Sequence, residues 1–192
     1  MNGDFHEALA FMFDQECPGG DRVNCKSNTP NDPGKQTNQG VIQTTYDGYR
    51  KSLGQPLQSV FQATNDEIDL IYWNRFWARG GCDHLPKPLN ILHFDGCVNI
   101  GTESRDAKGN KHICAITLLQ RALLVPDDGV MGLTTVAAIQ NFPTPKYLIM
   151  RLWAERVIFY DSLDAKNPAL TPFLTGGWLA RLRHFYQKYM GV

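Results

Sequence analysis

Apolar residues recur along most of this chain at the spacing of one helical face. Phe5, Ala8, Leu9 and Met12 form the first such stripe. The segment Asp4-Phe5-His6-Glu7 has the form of a capping box, so a helix is predicted to begin there. Pro18-Gly19-Gly20 should stop it near Cys17, which leaves Glu16 at or near its C-terminal end. Residues 18–40 are polar and rich in Gly, Pro, Asn and Asp. They predict a long irregular stretch with room for a small hairpin. Thr64-Asn65-Asp66-Glu67 is a second capping-box candidate. It precedes Ile68, Ile71, Tyr72 and Phe76, in a helix ending at Gly80-Gly81.

After Pro86 and Pro88, the run Leu89 to Ile100 predicts a buried helix. Asp106 to Lys111 is a polar turn. Ile113, Ile116, Leu119, Gln120 and Leu123 predict another helix, closed by Asp127-Asp128-Gly129, and a short one starts at Thr134 or Thr135. Thr144-Pro145 places a capping residue before a proline at the first helical position, ahead of Leu148, Ile149, Leu152, Trp153 and Tyr160. A last helix starts near Gly177. Strand signals are few. The fold class expected is therefore mainly α, with the loop or hairpin after the first helix.

Composition narrows this picture only a little. The 192 residues are 43% hydrophobic and 20% charged, which allows a packed core and argues against disorder. Formal net charge is zero, so bulk charge gives no support for nucleic-acid binding. No apolar run approaches the roughly 20 residues of a membrane span, and residues 1–7 lack the basic start and apolar stretch of a secretory signal. The five cysteines, Cys17, Cys25, Cys82, Cys97 and Cys114, match no paired C-x2-C zinc pattern. Cys17 and Cys25 bracket a short Gly-rich loop and can close a disulfide in an oxidising compartment; buried thiols are the alternative. No metal or other cofactor is expected.

Four segments are candidates for chemistry. Apolar neighbours and a helix C-terminus both favour the protonated form of a carboxyl, and a protonated carboxyl can donate to a glycosidic oxygen. Glu16, next to Phe13 and Met12, has that setting; a solvated surface residue is the plainer reading. Asn31 to Gly40 offers Asp32 as a partner carboxylate, with Thr37 and Asn38 as short polar groups for sugar hydroxyls. An Asp-Pro-Gly turn stabilised by its own side chains explains the same residues without function. Asp95 and Asn99, four apart on one helical face, can line a cleft, or Asn99-Ile100-Gly101 can be an ordinary helix end. Gln120 with Asp128-Gly129-Val130-Met131-Gly132 reads as a turn. Tyr46 is a candidate to stack on a sugar, although most aromatics at helical spacing are core. No Ser lies in a G-x-S-x-G setting and no H-E-x-x-H pattern is present.

These segments and their order resemble glycoside hydrolase family 108, the N-acetylmuramidases of bacteria and their phages. The family's E-G-G at the end of the first helix corresponds to Glu16-Cys17-Pro18-Gly19-Gly20. Its D-P-G-G-x-T-N-x-G-I corresponds to Asp32 through Val41. A companion peptidoglycan-binding region is similar to Leu85-Pro86, Phe94-Asp95-x-x-Val98-Asn99-x-Gly101, Leu119-Gln120, Asp128-Gly129-x-x-Gly132-x-x-Thr135, Glu155-Arg156-x-x-x-Tyr160 and Gly177 to Leu182. The resemblance implies a lysozyme-like helical fold and cleavage of the β-1,4 bond between N-acetylmuramic acid and N-acetylglucosamine, with Glu16 as the acid.

It implies a muramidase-like part over residues 1–80 and a peptidoglycan-binding-like part over 81–192, packed as one unit. Cys17-Pro18 interrupts the family's E-G-G, and Lys35 stands in place of its second glycine in D-P-G-G. A wall-binding module that has lost turnover is the alternative function. The partner expected is bacterial peptidoglycan. The chain would be made in the cytoplasm and act in the periplasm or cell wall. It would act there as a type VI secretion effector, paired with a periplasmic immunity protein, or as a phage endolysin.

Overall fold

The computed structural model describes residues 1–28, 36–105 and 108–191. The chain divides into two compact units, Met1–Arg75 and Phe76–Val192.

The first unit opens with α1, Gly3–Glu16. Its N-cap is Asn2, whose side chain accepts from the Phe5 N–H at 2.9 Å. The cap therefore falls two residues before the Asp4 predicted for it, and Asp4 sits in the first turn, where its charge suits the helix dipole. Phe5, Ala8, Leu9 and Met12 are buried as their spacing predicts, and Phe11 and Phe13 join them. The helix ends where expected. Cys17 precedes Pro18, a position where helical backbone is disfavoured, and adopts extended angles of −109° and 134°.

Next come three short strands, β1 (Lys26–Asn28), β2 (Gln36–Asn38) and β3 (Val41–Ile42), in one antiparallel sheet of that order. Lys26 pairs with Asn38 and Ser27 with Thr37; on the other side Asn38 pairs with Val41. Helix α2 (Gln43–Ser52) follows directly. Helix α3 (Asn65–Tyr72) carries the full capping box of Thr64 and Glu67 and runs on into a π turn, Trp73–Ala78. Edge-on rings tie α1 to α3: Phe5 with Trp73 at 5.1 Å and Phe13 with Tyr72 at 5.6 Å.

The second unit is helical among its described residues. Helix α4 (Leu89–Ile100) is buried from Leu89 to Cys97 on every side, as its unbroken hydropathy predicts. It packs on α5 (Ala115–Leu123) and α7 (Pro145–Lys166), which also pack on each other. Helix α5 ends earlier than Asp127-Asp128-Gly129. Leu124 takes a left-handed conformation (φ 61°), and the Leu124 and Val125 N–H groups bond back to Arg121 and Gln120. Pro126 disfavours helix at Val125, so the chain turns there instead. Helix α6 (Leu133–Gln140), a helical turn α8 (Thr171–Phe173), a π turn (Leu174–Trp178) and α9 (Leu179–Met190) complete the unit. No helix among the described residues is long and apolar enough to cross a membrane.

Candidate active site

Glu16 is the last residue of α1 and is exposed. Met12 and Phe13 are buried in the core and do not enclose it. What surrounds the helix end is built by the next residue. Cys17 forms a disulfide with Cys25, with Cα atoms 5.1 Å apart. Between them Gly19 and Gly20 both lie in the left-handed region (φ 64° and 72°), and the Gly20 N–H bonds to the Cys17 carbonyl. Gly20 is required twice over, because a Cβ there would also meet Asp14 Oδ1 at 2.9 Å.

The disulfide carries the hairpin to the helix end. Cys25 leads straight into β1, and its carbonyl accepts from the Gln39 N–H at 2.6 Å. Gln39 (φ 51°) and Gly40 (φ 77°) form the two-residue turn between β2 and β3, with both residues left-handed as a type I′ hairpin demands. A side chain at Gly40 would strike the Tyr72 hydroxyl, 2.5 Å from the Cβ position. Gln39 itself has left-handed backbone without being glycine, a conformation that costs energy and persists only when its surroundings fix it. Here they do. Its side-chain oxygen accepts from Arg22 Nε at 2.6 Å, its amide donates to Asn65 Oδ1 at 2.9 Å, and its carbonyl accepts from Tyr72 OH at 2.8 Å.

Arg22 also pairs with Asp69 at 2.5 Å and lies over the Phe13 ring at 4.2 Å. Together with Asp14, Gly20, His6, Leu9 and Ala10, these residues line a pocket of about 180 Å³ along α1. Sequence reasoning missed Arg22, Gln39 and Asp69. One signal was present: Asp69 stands beside Ile68 on the buried stripe of α3, where an acid needs a partner.

The other residues singled out from the sequence fall as follows. Thr37 is half-buried in the central strand. Asn38 is buried, and its amide donates to the Val60 carbonyl at 2.9 Å. Asp32 lies outside the described residues. Tyr46 is fully buried; its hydroxyl donates to Glu67 at 2.8 Å and accepts from Gln58 at 2.5 Å. Burial pushes the Glu67 carboxyl up, but the Thr64 N–H, the Tyr46 hydroxyl and the Arg50 guanidinium outweigh it and hold it below its ordinary value. Tyr49, stacked on Tyr46 at 6.3 Å, is the partly exposed ring of the pair.

Asp95 and Asn99 belong to the second unit and share one face of α4, as their spacing requires. They face the interior. Asp95 is bonded by Arg156 at 2.8 Å and by Arg181 at 2.5 Å, and Asn99 accepts from Tyr160 OH at 2.7 Å. Burial alone would raise the Asp95 carboxyl; the charges of Arg181 and Arg156 reverse this and hold it low. Trp178 stacks on Tyr160 at 5.0 Å. The Glu155-Arg156-x-x-x-Tyr160 and Gly177-to-Leu182 segments thus meet α4 in one buried network. Gln120 closes the turn it precedes, donating to Asp128, Val130 and Thr135 and accepting from the Gly129 N–H.

Comparison with known proteins places its boundary elsewhere than the two compact units do: Leu85-Pro86 and Phe94 to Gly101, expected in the peptidoglycan-binding region, fall in the hydrolase match. The glycosyl hydrolase 108 family matches residues 19–101, and the predicted peptidoglycan domain matches residues 114–183. The chain carries a glycosyl hydrolase 108 domain followed by a predicted peptidoglycan domain. It is a glycoside hydrolase of the muramidase class, and its partner is peptidoglycan. The 108-family match begins three residues after Glu16. Of the solved chains that match, one described as the structure of Brucella abortus SagA is 24% identical over 97% of this chain and 93% of its own, with a TM-score of 0.68. The two share their fold, and the mainly α, lysozyme-like architecture expected from the sequence is the one found. No curated protein matches the chain.

Proposed function

We propose that this glycosyl hydrolase 108 protein is an N-acetylmuramidase that cuts the β-1,4 bond between N-acetylmuramic acid and N-acetylglucosamine, with Glu16 as the general acid. The observation that supports this most is the setting of Glu16. It is an exposed carboxyl on the last residue of a helix, next to a disulfide that pins a glycine turn and a hairpin beside it. An exposed acid is accessible to a polymeric substrate. A glycan strand laid across the helix end would bring a glycosidic oxygen to the carboxyl, which would donate its proton to the leaving oxygen. A second carboxylate would then steady the oxocarbenium-like state or activate water, and Asp32 of the Asp-Pro-Gly segment is the candidate from the sequence. Thr37 supplies a hydroxyl for the sugar from the central strand.

Replacing Glu16 by Gln removes the proton and keeps the shape. Release of reducing ends from purified sacculi should fall by at least about a hundredfold, while circular dichroism and the melting temperature stay unchanged. Unchanged turnover would take Glu16 out of the mechanism. Sacculi that are bound by the wild-type protein but release no soluble product would favour a wall-binding module instead.

The Cys17–Cys25 disulfide suits an oxidising compartment, and peptidoglycan lies outside the cytoplasm. The protein accordingly acts in the periplasm or cell wall, as an injected antibacterial effector with a periplasmic immunity protein or as a phage endolysin. Expression directed to the periplasm should lyse cells, and cytoplasmic expression should not.

A further inference from the structure

Three of the five cysteines lie outside the disulfide, and all are buried. Two of them do not pack as isolated apolar groups. Cys82, on the turn after Gly81, and Cys97, on α4, meet His93 one helical turn before Cys97. Their donor atoms, two sulfurs and an imidazole nitrogen, all lie within 4.8 Å of one another. Cys97 Sγ is 3.5 Å from His93 Nε2, and the Gly80 carbonyl oxygen is 3.0 Å from that same nitrogen. His93 Nδ1 is buried and has no hydrogen-bond partner among the described residues, so the polar contacts of the ring there are on the side of the sulfurs.

Gly80 shows how tightly these atoms converge. It has no left-handed backbone to explain a glycine. A Cβ there would lie 2.6 Å from Cys97 Sγ, 3.3 Å from Cys82 Sγ and 3.6 Å from His93 Nε2. The glycine clears the space the three donors share.

We infer that Cys82, His93 and Cys97 form a binding site for a single thiophilic divalent cation, zinc(II), with the Gly80 carbonyl as the neighbouring fourth donor. Zn–S bonds of about 2.3 Å and Zn–N bonds of about 2.0–2.1 Å in a tetrahedral centre set adjacent donors roughly 3.5–3.8 Å apart. The Cys97–His93 separation already has that value. Two thiolates and one imidazole are soft to borderline donors, which suit zinc and not the oxygen-seeking magnesium or calcium. Two thiolates also cancel the charge of a divalent ion, so the occupied site is neutral, as an interior site needs to be. Binding releases both thiol protons to solvent and leaves His93 Nε2 unprotonated. The ion would staple the Cys82–His84 turn to α4 within the second unit. This role is independent of Glu16.

The site is buried, so metal must enter as the chain folds. The full chain is therefore made in zinc-supplemented medium and, separately, unfolded in guanidinium chloride with reductant and refolded with one equivalent of ZnCl2 or CoCl2. Native mass spectrometry should find one zinc per chain, with a mass gain of one zinc less two protons. The cobalt form should show an intense sulfur-to-cobalt charge-transfer band in the near ultraviolet. Cys97→Ser and Cys82→Ser should each weaken retention by more than roughly tenfold, while Cys114→Ser, at the third buried thiol, leaves it unchanged. Folded, reduced wild-type protein that takes up no zinc by either route overturns the inference, whatever the variants do. So does full retention in both Cys82→Ser and Cys97→Ser, or peptide mapping that finds Cys82 joined to Cys97.

Discussion

In the unit Met1–Arg75, Glu16 stands exposed at a helix end, and the polar groups near it are held by a disulfide, a two-residue turn and the Arg22–Gln39 contact. In the unit Phe76–Val192, Asp95 is just as short of local explanation in the sequence, yet it is sealed between two arginines at 2.8 and 2.5 Å. Both acids stand in segments that carry a family resemblance, Glu16 just ahead of the glycosyl hydrolase 108 match and Asp95 within it. The difference shows that such a segment is not by itself a site. An acid that works on a large substrate has to be reachable. A buried acid with two cations has its charge fully engaged in holding helices α4, α7 and α9 together.

The sharpest way to break this contrast is at Asp95. Asp95→Asn keeps the shape and leaves Arg156 and Arg181 buried without their counter-charge. Breaking a buried pair in this way costs about 3–5 kcal/mol. In a chain of this size that lowers the melting transition of the second unit by roughly 10 °C. Calorimetry measures it, and turnover by the remaining folded protein at low temperature should change little. A variant with wild-type stability and a raised KM for sacculi would instead put Asp95 in a substrate cleft.

A smaller effect should separate stability from activity in the first unit. Cys17→Ser with Cys25→Ser opens an eight-residue loop, for which chain entropy alone gives about 2.5 kcal/mol. The cut in turnover should exceed what the unfolded fraction explains, because the same bridge holds β1 against the residue after Glu16. If turnover falls only in step with the folded fraction, the bridge is a staple and does not position the acid.

Helices were legible because their periodicity and caps are local. The Thr64–Glu67 box, the Leu89–Ile100 run and the break at Pro18 all act within a few residues, and all appear where the spacing puts them. The first cap was misplaced by two residues because Asn2 can cap as well as Asp4. The end of α5 was misplaced because a leucine, not a glycine, takes the left-handed position. Partnerships between distant residues were not legible. Nothing near Arg22 names Asp69, and nothing near Asp95 names Arg156 or Arg181, 61 and 86 residues away. Cys82, His93 and Cys97 show no paired C-x2-C spacing because a helix turn and a loop, not a knuckle, bring them together.

The smallest effect lies in Glu67, which caps α3 and pairs with Arg50 at 2.8 Å. Its carboxyl is held below the ordinary glutamate value in the folded protein. A lowered folded value means the charged form is favoured by folding. The stabilisation is therefore complete above the unfolded value of about 4.3 and is lost as pH falls through the lower folded value. Glu67→Gln can still accept from Thr64, so it removes mainly the charge, worth about 1 kcal/mol for a partly buried pair. Melting curves of wild type and Glu67→Gln should differ near pH 7 and converge below pH of about 4. A gap that persists into acid would mean that the hydrogen bonds to Tyr46 and Thr64, and not the charge, hold the first unit's α2 to α3.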